Sequence, residues 1–392
     1  MAHLSFSSAG GAGVVATRLA NAQRLRGWDA ALHTASSSDI ASEPFAHPAL
    51  TISAAVDEYV IKKSGFPSLF SEIRERNAVL DATGLSADVF HLHWVSGTLD
   101  LAKASFLKNS PVIWTLHDMN PFTGGCHHSF GCEGFTASCE ECPAVRSFAT
   151  RLPPARLSQK IDDYSTWRKL RVVTPSAWLA QEAARSSAFH ETPMTVIPNP
   201  IDPLFFQTSP NSSGIEMSIP EDNTVVMCVA ANLDDPIKNV KGALRVFEAA
   251  RQRDSSLSLV LVGSGGAAYN GVPGVILAGS LTTQELIPLL DRADALLITS
   301  LAENAPSVAF EAASRGVVPI VSSGGGLPEI VSTLGFGVVC ETDRDWHAAL
   351  SPQGLRAKLS KPARAQLKKR ARDLVEPGTI ASRYIELYGA EL

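Results

Sequence analysis

The sequence predicts an α/β protein made of two doubly wound domains in series. Its 392 residues exceed one ordinary domain. A content of 45% hydrophobic and 19% charged residues supports two packed cores rather than disorder. Short apolar runs alternate with helix-like stretches along most of the chain, the rhythm of parallel sheets covered by helices on both faces.

The first series of elements precedes residue 200. Thr17–Gly27 has apolar residues at helical spacing and ends at a glycine, which predicts a helix after a short N-terminal strand. A second helix is predicted from about Ser176. The predicted strands of this half are Ala30–Thr34, Val89–Trp94, Pro111–Leu116 and Arg171–Thr174.

A proline-rich segment, Val196–Phe206 (VIPNPIDPLFF), lacks any helical period and predicts a linker. A second α/β series follows it, with a helix over Lys241–Arg253. Its predicted strands are Thr224–Ala230, Leu257–Val262, Gly274–Leu277, Ala295–Thr299 and Val318–Val321. We therefore predict domains over residues 1–200 and 201–375, with residues 376–392 forming a C-terminal helix that packs back on the first domain.

The net charge of −5 gives no overall basic footprint for nucleic acid. The N-terminus, Met1–Gly13, has no basic stretch followed by an apolar run, so no signal peptide is predicted. No stretch approaches the ~18 consecutive apolar residues of a membrane span. The expected location is cytoplasmic, with peripheral contact at the inner face of the membrane left open.

A glycine-rich segment, Ser7–Val14, is predicted to form a turn whose glycines admit an anion to a helix N-terminus. Its Gly11-x-Gly13 spacing also fits a dinucleotide fingerprint, so an NAD-dependent oxidoreductase is one alternative. That fingerprint requires an acidic residue about 20 positions later, at the end of the second strand. Here Thr34 is followed by alanine and three serines, and Asp39 lies late, which disfavours the oxidoreductase.

The strongest signal lies in Ser300–Gly316, where Glu303 precedes a predicted helix and Glu311 lies eight positions later within it. Eight residues are close to two helical turns, so both carboxylates can point to one side. A second glycine-rich loop, Ser322–Val331, follows a predicted strand, and Gly263 ends another. Because ligands of parallel sheets bind beyond the carboxyl ends of the strands, these loops favour a phosphate-bearing ligand.

These motifs resemble glycosyltransferase family 4, whose members are retaining enzymes with the GT-B fold, two Rossmann-like domains facing across a cleft. Glu303 to Glu311 resembles the family's E-x7-E motif, and Ser322–Val331 resembles its Gly-Gly-x-Pro-Glu loop. Thr115–Pro143 (TLHDMNPFTGGCHHSFGCEGFTASCEECP) is similar to a bacterial polysaccharide-assembly subgroup that carries a cysteine-rich loop, here residues 117–143.

The resemblance implies that residues 201–375 hold the nucleotide sugar and residues 1–200 meet the acceptor. It implies catalytic roles for Glu303, His93, His117 and Lys238. It implies donor contacts from Gly11, Lys238 or Lys241, Gly263, Leu281, Glu303, Asn304, Ala305 and Glu311. The family's usual arginine beside the lysine is absent, so Lys238 and Lys241 both remain candidates for the diphosphate, with Lys238 preferred.

Four cysteines, Cys126, Cys132, Cys139 and Cys142, lie within 17 residues. In a reducing compartment such clustering favours a metal site, and the final C-x2-C has zinc-like spacing. We predict a structural zinc, with free thiols or a disulfide as the alternative. Asp234-Asp235 is predicted to form a turn, and no catalytic metal is expected.

The predicted function is therefore a retaining, metal-independent glycosyltransferase. Its donor is a nucleotide-diphosphate sugar of UDP or GDP type, and its acceptor is a glycan, a lipid-linked sugar or a small molecule. The alternatives are an NAD-dependent oxidoreductase, a non-catalytic sugar or nucleotide binder, and a phosphorylase or epimerase of the same architecture. The sequence predicts no oligomeric state.

Overall fold

The structure is a computed structural model that describes residues 1–34, 55–63, 65–71, 85–101, 103–208, 214, 219–352, 354–355 and 360–391. The chain divides into two compact units. Unit 1 comprises Met1–Pro200 together with Pro377–Leu392, and unit 2 comprises Ile201–Glu376. Asp39, weighed above as a ribose ligand, lies outside the described residues.

Each unit contains a six-stranded sheet in which all described strand pairs are parallel. The strands of unit 1 are β1 (Ala2–Ser5), β2 (Ala31–Thr34), β3 (Phe90–Leu92), β4 (Val112–Thr115), β5 (Leu170–Thr174) and β6 (Met194–Val196). The strands of unit 2 are β7 (Thr224–Asn232), β8 (Leu257–Ser264), β9 (Val275–Gly279), β10 (Ala295–Ile298), β11 (Val318–Ser322) and β12 (Val338–Cys340). The strand orders are β2-β1-β3-β4-β5-β6 and β12-β11-β10-β7-β8-β9.

Ten α-helices occur among the described residues. Unit 1 contains α1 (Gly10–Arg24), α2 (Leu152–Ser165), α3 (Ala177–Arg185) and, from the end of the chain, α10 (Pro377–Gly389). Unit 2 contains α4 (Val240–Arg251), α5 (Thr283–Arg292), α6 (Ser307–Ser314), α7 (Leu327–Leu334), α8 (Asp343–Ala349) and α9 (Lys361–Val375). None of the helices in the described ranges is both long enough and apolar enough to cross a membrane.

The sheet of unit 1 is buried on both faces, as parallel sheets require. Along β4, Val112 and Trp114 pack in the core that α2 and α3 cover, whereas Ile113 packs in the core that α1 and α10 cover. Tyr384 and Tyr388 of α10 are fully buried in that second core. The last helix of the chain thus covers one face of the first sheet.

The sheet of unit 2 has the same two-layer burial. Met227 and Leu296 pack in a core with α5, α6, α7 and α9 on one side. Val226 and Leu297 pack on the other side with α4 and α8. The carboxyl ends of β7 and β10 are therefore neighbours, because these two strands pair directly.

Three elements show how the structure differs from the sequence prediction. Helix α1 begins at Gly10, so the predicted turn through Val14 is in fact the first helical turn. Strand β6 was not predicted, because Met194–Val196 lies against the proline-rich segment taken as linker. Strand β12 was also missed, since three residues are too few for an apolar pattern to stand out.

Candidate functional site

In unit 2 the predicted carboxylate Glu303 and lysine Lys238 meet. The Nζ atom of Lys238 lies 2.6 Å from Oε1 of Glu303, and the hydroxyl of Ser300 donates to the same oxygen at 2.9 Å. Glu303 is nearly buried, whereas the Lys238 side chain keeps 31% of its surface exposed. The pair lies in the loops that follow β7 and β10, where the sequence predicted a ligand site.

The loops that carry this pair are tied together through the backbone. Leu301 N–H donates to the carbonyl of Ile237 at 2.8 Å, and the Asn239 side chain donates to the carbonyl of Thr299 at 3.1 Å. Asn239 adopts a left-handed conformation (φ +50°) and caps α4 by accepting from Gly242 N–H. The position of Lys238 relative to Glu303 is thus set by hydrogen bonds rather than by their ion pair alone.

The glycine-rich loop after β11 closes on the same carboxylate loop. Gly326 N–H donates to the carbonyl of Glu303 at 2.8 Å, and Ser322 donates to the carbonyl of Ser300 at 2.5 Å. A Cβ at Gly325 would lie 2.1 Å from the Glu303 carbonyl oxygen, so only glycine allows this approach. The Gly-rich segment that the sequence singled out therefore supports Glu303 directly.

The other predicted donor residues of unit 2 occupy distinct surroundings. Glu311 is half-buried inside α6, and Asn304 and Ala305 lie in the loop before it. Lys241 is exposed on the first turn of α4. Gly263 lies within β8, where a Cβ would be 1.9 Å from the Ala230 carbonyl oxygen, and Leu281 packs partly against the core after β9.

In unit 1 the two predicted histidines meet beyond neighbouring strands. His93 follows β3 and His117 follows β4, and Nδ1 of His93 lies 3.2 Å from Nε2 of His117. The other His93 nitrogen, Nε2, lies 3.0 Å from Nδ1 of His3 in β1. Burial lowers the pKa of His117 to about 4 and the pKa of His93 well below its usual value, so both rings are neutral at pH 7.

Asp118, next to His117, connects this site to the cysteine-rich loop. Its Oδ2 accepts from Trp94 Nε1 at 2.7 Å and lies 2.6 Å from Nδ1 of His127, while Oδ1 accepts from Asn120 N–H. Burial by itself raises the pKa of Asp118, but His127, the Asn120 N–H group and His128 together lower it to about 2. Asp118 is therefore a carboxylate that holds the loop against the strand ends.

Gly11 lies in the first turn of α1, and a Cβ there would have no atom within 4 Å. Two positions later, a Cβ at Gly13 would lie 2.2 Å from the carbonyl oxygen of Ser7. The backbone therefore requires glycine at position 13, for close packing of the helix on the preceding turn. Gly11 leaves open space beside the helix start.

The four clustered cysteines line one cavity together with Phe70, Gly124 and Gly125, and no disulfide joins them. Backbone N–H groups of Gly124 and Gly134 donate to the sulfurs of Cys139 and Cys132 at 3.3 and 3.5 Å. Burial raises the pKa of Cys126 to about 12 and that of Cys139 to about 11. In the described parts of the chain, one group of three metal-type ligands has its ligand atoms within 4.8 Å of one another, and it is His3, His91 and His93.

Sequence reasoning missed His3, His91, Gln23, Asp118 and Tyr388. A signal for the histidines existed, since Ala2-His3-Leu4 and His91-Leu92-His93 alternate polar and apolar residues in strands expected to be apolar on both faces. No sequence signal marked Gln23 or Tyr388, because a glutamine or a tyrosine in a helix is common outside functional sites.

Comparison with known proteins decides the family. The model of "Glycosyltransferase Family 4" matches residues 9–204, half of the chain. The chain belongs to glycosyltransferase family 4. The model of "Glycosyl transferases group 1" matches residues 216–374, so the two models together cover most of each unit.

Individual relatives are distant. WcaC of Escherichia coli strain K12, a glycosyl transferase assigned to colanic acid biosynthesis, is 22% identical over 322 residues, which cover 76% of this chain and 74% of WcaC. Sucrose-phosphate synthase of Thermosynechococcus elongatus superposes with a TM-score of 0.65 at 17% identity over 99% of this chain and 98% of its own. HepE of Anabaena in complex with UDP-glucose gives 0.65 at 16% identity, covering 99% of both chains. The fold of this family 4 member is GT-B, as predicted, and the protein is a glycosyltransferase.

Proposed function

We propose that this glycosyltransferase uses a nucleotide-diphosphate sugar as donor and transfers the sugar with retention of anomeric configuration. The observation that carries the proposal is the Lys238–Glu303 pair, built at the carboxyl ends of β7 and β10 in a member of this family. A UDP-glucose complex of HepE, which shares the fold, supports a nucleotide sugar as donor.

The chemistry of such a transfer suits these residues. Breaking the bond to the diphosphate builds positive charge on the sugar and negative charge on the leaving group. Lys238 would stabilise the leaving diphosphate, and Glu303, with Asn304 and Ala305, would hold the transferred sugar. Glu303, whose Oε1 atom is held by Lys238 and Ser300, would act as a positioning group for the sugar rather than as a nucleophile.

The remaining residues complete the proposed donor site. Glu311 would bind the ribose, Leu281 would lie near the base, and Gly11 and Gly263 would let backbone approach the phosphates. His93 and His117 belong to the acceptor-side unit. We propose a glycan or lipid-linked acceptor, as the colanic acid assignment of WcaC supports, and chemistry without a catalytic metal.

A thermal-shift panel of UDP, GDP, ADP, dTDP, NAD and NADP tests the donor class. A ligand at about 100 times its Kd should add about 2.7 kcal/mol to the unfolding free energy. Stabilisation by one nucleoside diphosphate should disappear in Glu311→Ala and persist in Glu248→Ala, an exposed glutamate on α4. Stabilisation by NAD alone would overturn the proposal in favour of an oxidoreductase.

Turnover tests the mechanism. Release of the nucleoside diphosphate in the presence of acceptor should be lost in Glu303→Gln, while nucleotide binding remains. NMR of the product should show the anomeric configuration of the donor. An inverted product, or turnover that requires added Mg²⁺ or Mn²⁺, would contradict the mechanism.

We also propose that the cysteine-rich loop holds a structural zinc ion through Cys126, Cys132, Cys139 and Cys142. Four thiols line one cavity, and backbone N–H groups are directed at two of the sulfurs, which supports a thiolate site. Zinc binding would have to draw the sulfurs together, since no three of them lie within 4.8 Å of one another. Metal analysis of gently purified protein should find one zinc per chain, lost in Cys139→Ala and kept in Cys228→Ala, a buried cysteine of unit 2. Protein without zinc would favour free thiols instead.

A further inference from the structure

A buried polar face lies under α1 and α10 in unit 1. Successive residues of a strand point to opposite faces of the sheet, so residues two positions apart share a face. His3 and His91 are paired in register on β1 and β3, and His93, Thr115 and His117 continue this face at the strand ends. His3, His91 and His93 are buried, so each ring nitrogen requires a hydrogen-bond partner.

Every ring nitrogen of these three histidines has such a partner. His3 bridges His93, at 3.0 Å, and Oε1 of Gln23, at 2.7 Å. His91 bridges the hydroxyls of Tyr388, at 2.7 Å, and Thr115, at 2.8 Å. His93 bridges His3 and His117. Gln23 and Tyr388 join His91 to the His3–His93 pair in one hydrogen-bonded network, and the three histidines would have to break these bonds to ligate a metal.

The direction of the protons in the chain follows from Gln23. Its Nε2 donates to the hydroxyl of Tyr388 at 3.0 Å, so its Oε1 faces His3 as an acceptor. His3 must then carry its proton on Nε2. Burial lowers the pKa of His3 to about 4, so the ring is neutral and its Nδ1 is an acceptor.

The same assignment of donor and acceptor nitrogens continues from His3 to His93 and His117. Since Nδ1 of His3 accepts, Nε2 of His93 donates to it, and a neutral His93 leaves Nδ1 as an acceptor. His117 therefore donates from Nε2 to His93, and its own Nδ1 is the basic nitrogen. His117 and His93 both line a cavity that also contacts Trp94, Ser96 and Asp118.

We propose that Gln23 and Tyr388 are positioning residues that fix His93 as the Nε2-protonated tautomer and thereby direct the basic Nδ1 of His117. The two residues lie 365 positions apart and come from the first and last α-helices. Both nitrogens of His93 are engaged by other histidines, so His93 acts through His117. The catalytic consequence, though not the tautomer, rests on the proposed glycosyl transfer.

Long-range ¹H–¹⁵N spectra of the full-length protein labelled with ¹⁵N-histidine test the tautomer directly. At pH 7.5, His93 should show a protonated Nε2 and a bare Nδ1, with its signals assigned from His93→Gln. Tyr388→Phe removes the hydroxyl that orients Gln23 and should give a mixture of His93 tautomers, as should Gln23→Met.

Tyr384→Phe is the matched control. Tyr384 lies on the same helix, is equally buried and contacts Thr115 rather than Gln23, so its loss should leave the His93 tautomer unchanged. A wild-type His93 protonated on Nδ1, or one whose tautomer is the same in Tyr388→Phe, overturns the proposal. Histidine signals that move when the protein is dialysed against a chelator would instead indicate a metal on His3, His91 and His93.

Measuring kcat in the variants distinguishes a positioning role of Gln23 and Tyr388 from a purely structural one. Tyr388→Phe and Gln23→Met should lower kcat by about 10- to 100-fold with little change in the donor KM, whereas Tyr384→Phe keeps the wild-type kcat. A changed tautomer with an unchanged kcat overturns the positioning role. Absence of any turnover in the wild type would overturn the proposed function, while the NMR result would still decide the tautomer.

Discussion

At Gly325 the backbone has a φ of +66°, and a Cβ there would lie 2.1 Å from the carbonyl oxygen of Glu303. Gly325→Ala should therefore lower the unfolding free energy of unit 2 by about 1–3 kcal/mol and reduce donor turnover, because the Glu303 loop must shift. Gly271→Ala is the control, since Gly271 also has a positive φ (+77°) but no atom within 4 Å of its Cβ. Equal losses of stability in urea unfolding would show that the φ angle alone is responsible.

The two candidate lysines for the diphosphate, Lys238 and Lys241, differ in their contacts. Lys238→Met should weaken binding of the nucleoside diphosphate by about 10- to 100-fold, because a charge-assisted hydrogen bond contributes about 1.5–3 kcal/mol. Lys241→Met should leave binding unchanged, since Lys241 is exposed on α4 whereas Lys238 meets Glu303. Calorimetric titration measures both, and the reverse ranking would move the diphosphate contact to Lys241.

The sequence predicted some functional residues better than others. Glu303 and Lys238 were predicted because their neighbours form a motif with defined spacing, and the structure brings these two together. The choice between Lys238 and Lys241 was open, because three positions along a loop and a helix start do not say which side chain points inward. Their roles in binding remain predictions.

Among the elements, α10 belongs to the first unit although unit 2 separates it from the rest in sequence. Ile380→Ala should lower the free energy of unfolding of unit 1 by about 2–5 kcal/mol, because Ile380 is completely buried against the first sheet. Ile385→Ala, on the same helix but only partly buried, should cost less. Urea unfolding followed with a probe in each unit should place the loss in unit 1, and a loss confined to unit 2 would contradict this packing.

Strands and helices with strong local periodicity were predicted close to their observed bounds, as for β4 and α4. Helix α1 was placed too late because glycines normally signal a turn, yet Gly13 is needed for the close approach of this helix to Ser7. Strands β6 and β12 are three residues each and depend on pairing with a neighbour already in place.

For the whole molecule, the buried His3 and the half-buried His117 predict that the free energy of unfolding falls in weak acid. His3 and His117 have a pKa of about 4 in the folded protein and 6.5 in the unfolded chain. Above pH 6.5 these two rings are neutral in both the folded and the unfolded protein. Between pH 6.5 and about 4 they bind a proton only in the unfolded chain. The unfolding free energy should therefore fall as the pH falls through this range, by ~2 kcal/mol for each of these histidines at pH 5.

Chemical denaturation at pH 7.5 and pH 5 measures this effect. His3→Gln should reduce the difference between the two pH values, because one protonation that favours the unfolded chain is removed. His190→Gln should leave the difference unchanged, since His190 is exposed. A pH dependence equal in wild type and His3→Gln would contradict the assignment.

The sequence by itself determined the two doubly wound domains, the division near residue 200 and the family motifs around Glu303. These features are local, because periodicity, prolines and spaced carboxylates act within a few residues of one another. Only the tertiary structure decided that Lys238 meets Glu303, and that Tyr388 orients Gln23 and, through it, the histidines beyond β3 and β4. Such contacts depend on which faces of distant elements are buried together, and a hydrogen bond between residues 365 positions apart leaves no pattern along the chain.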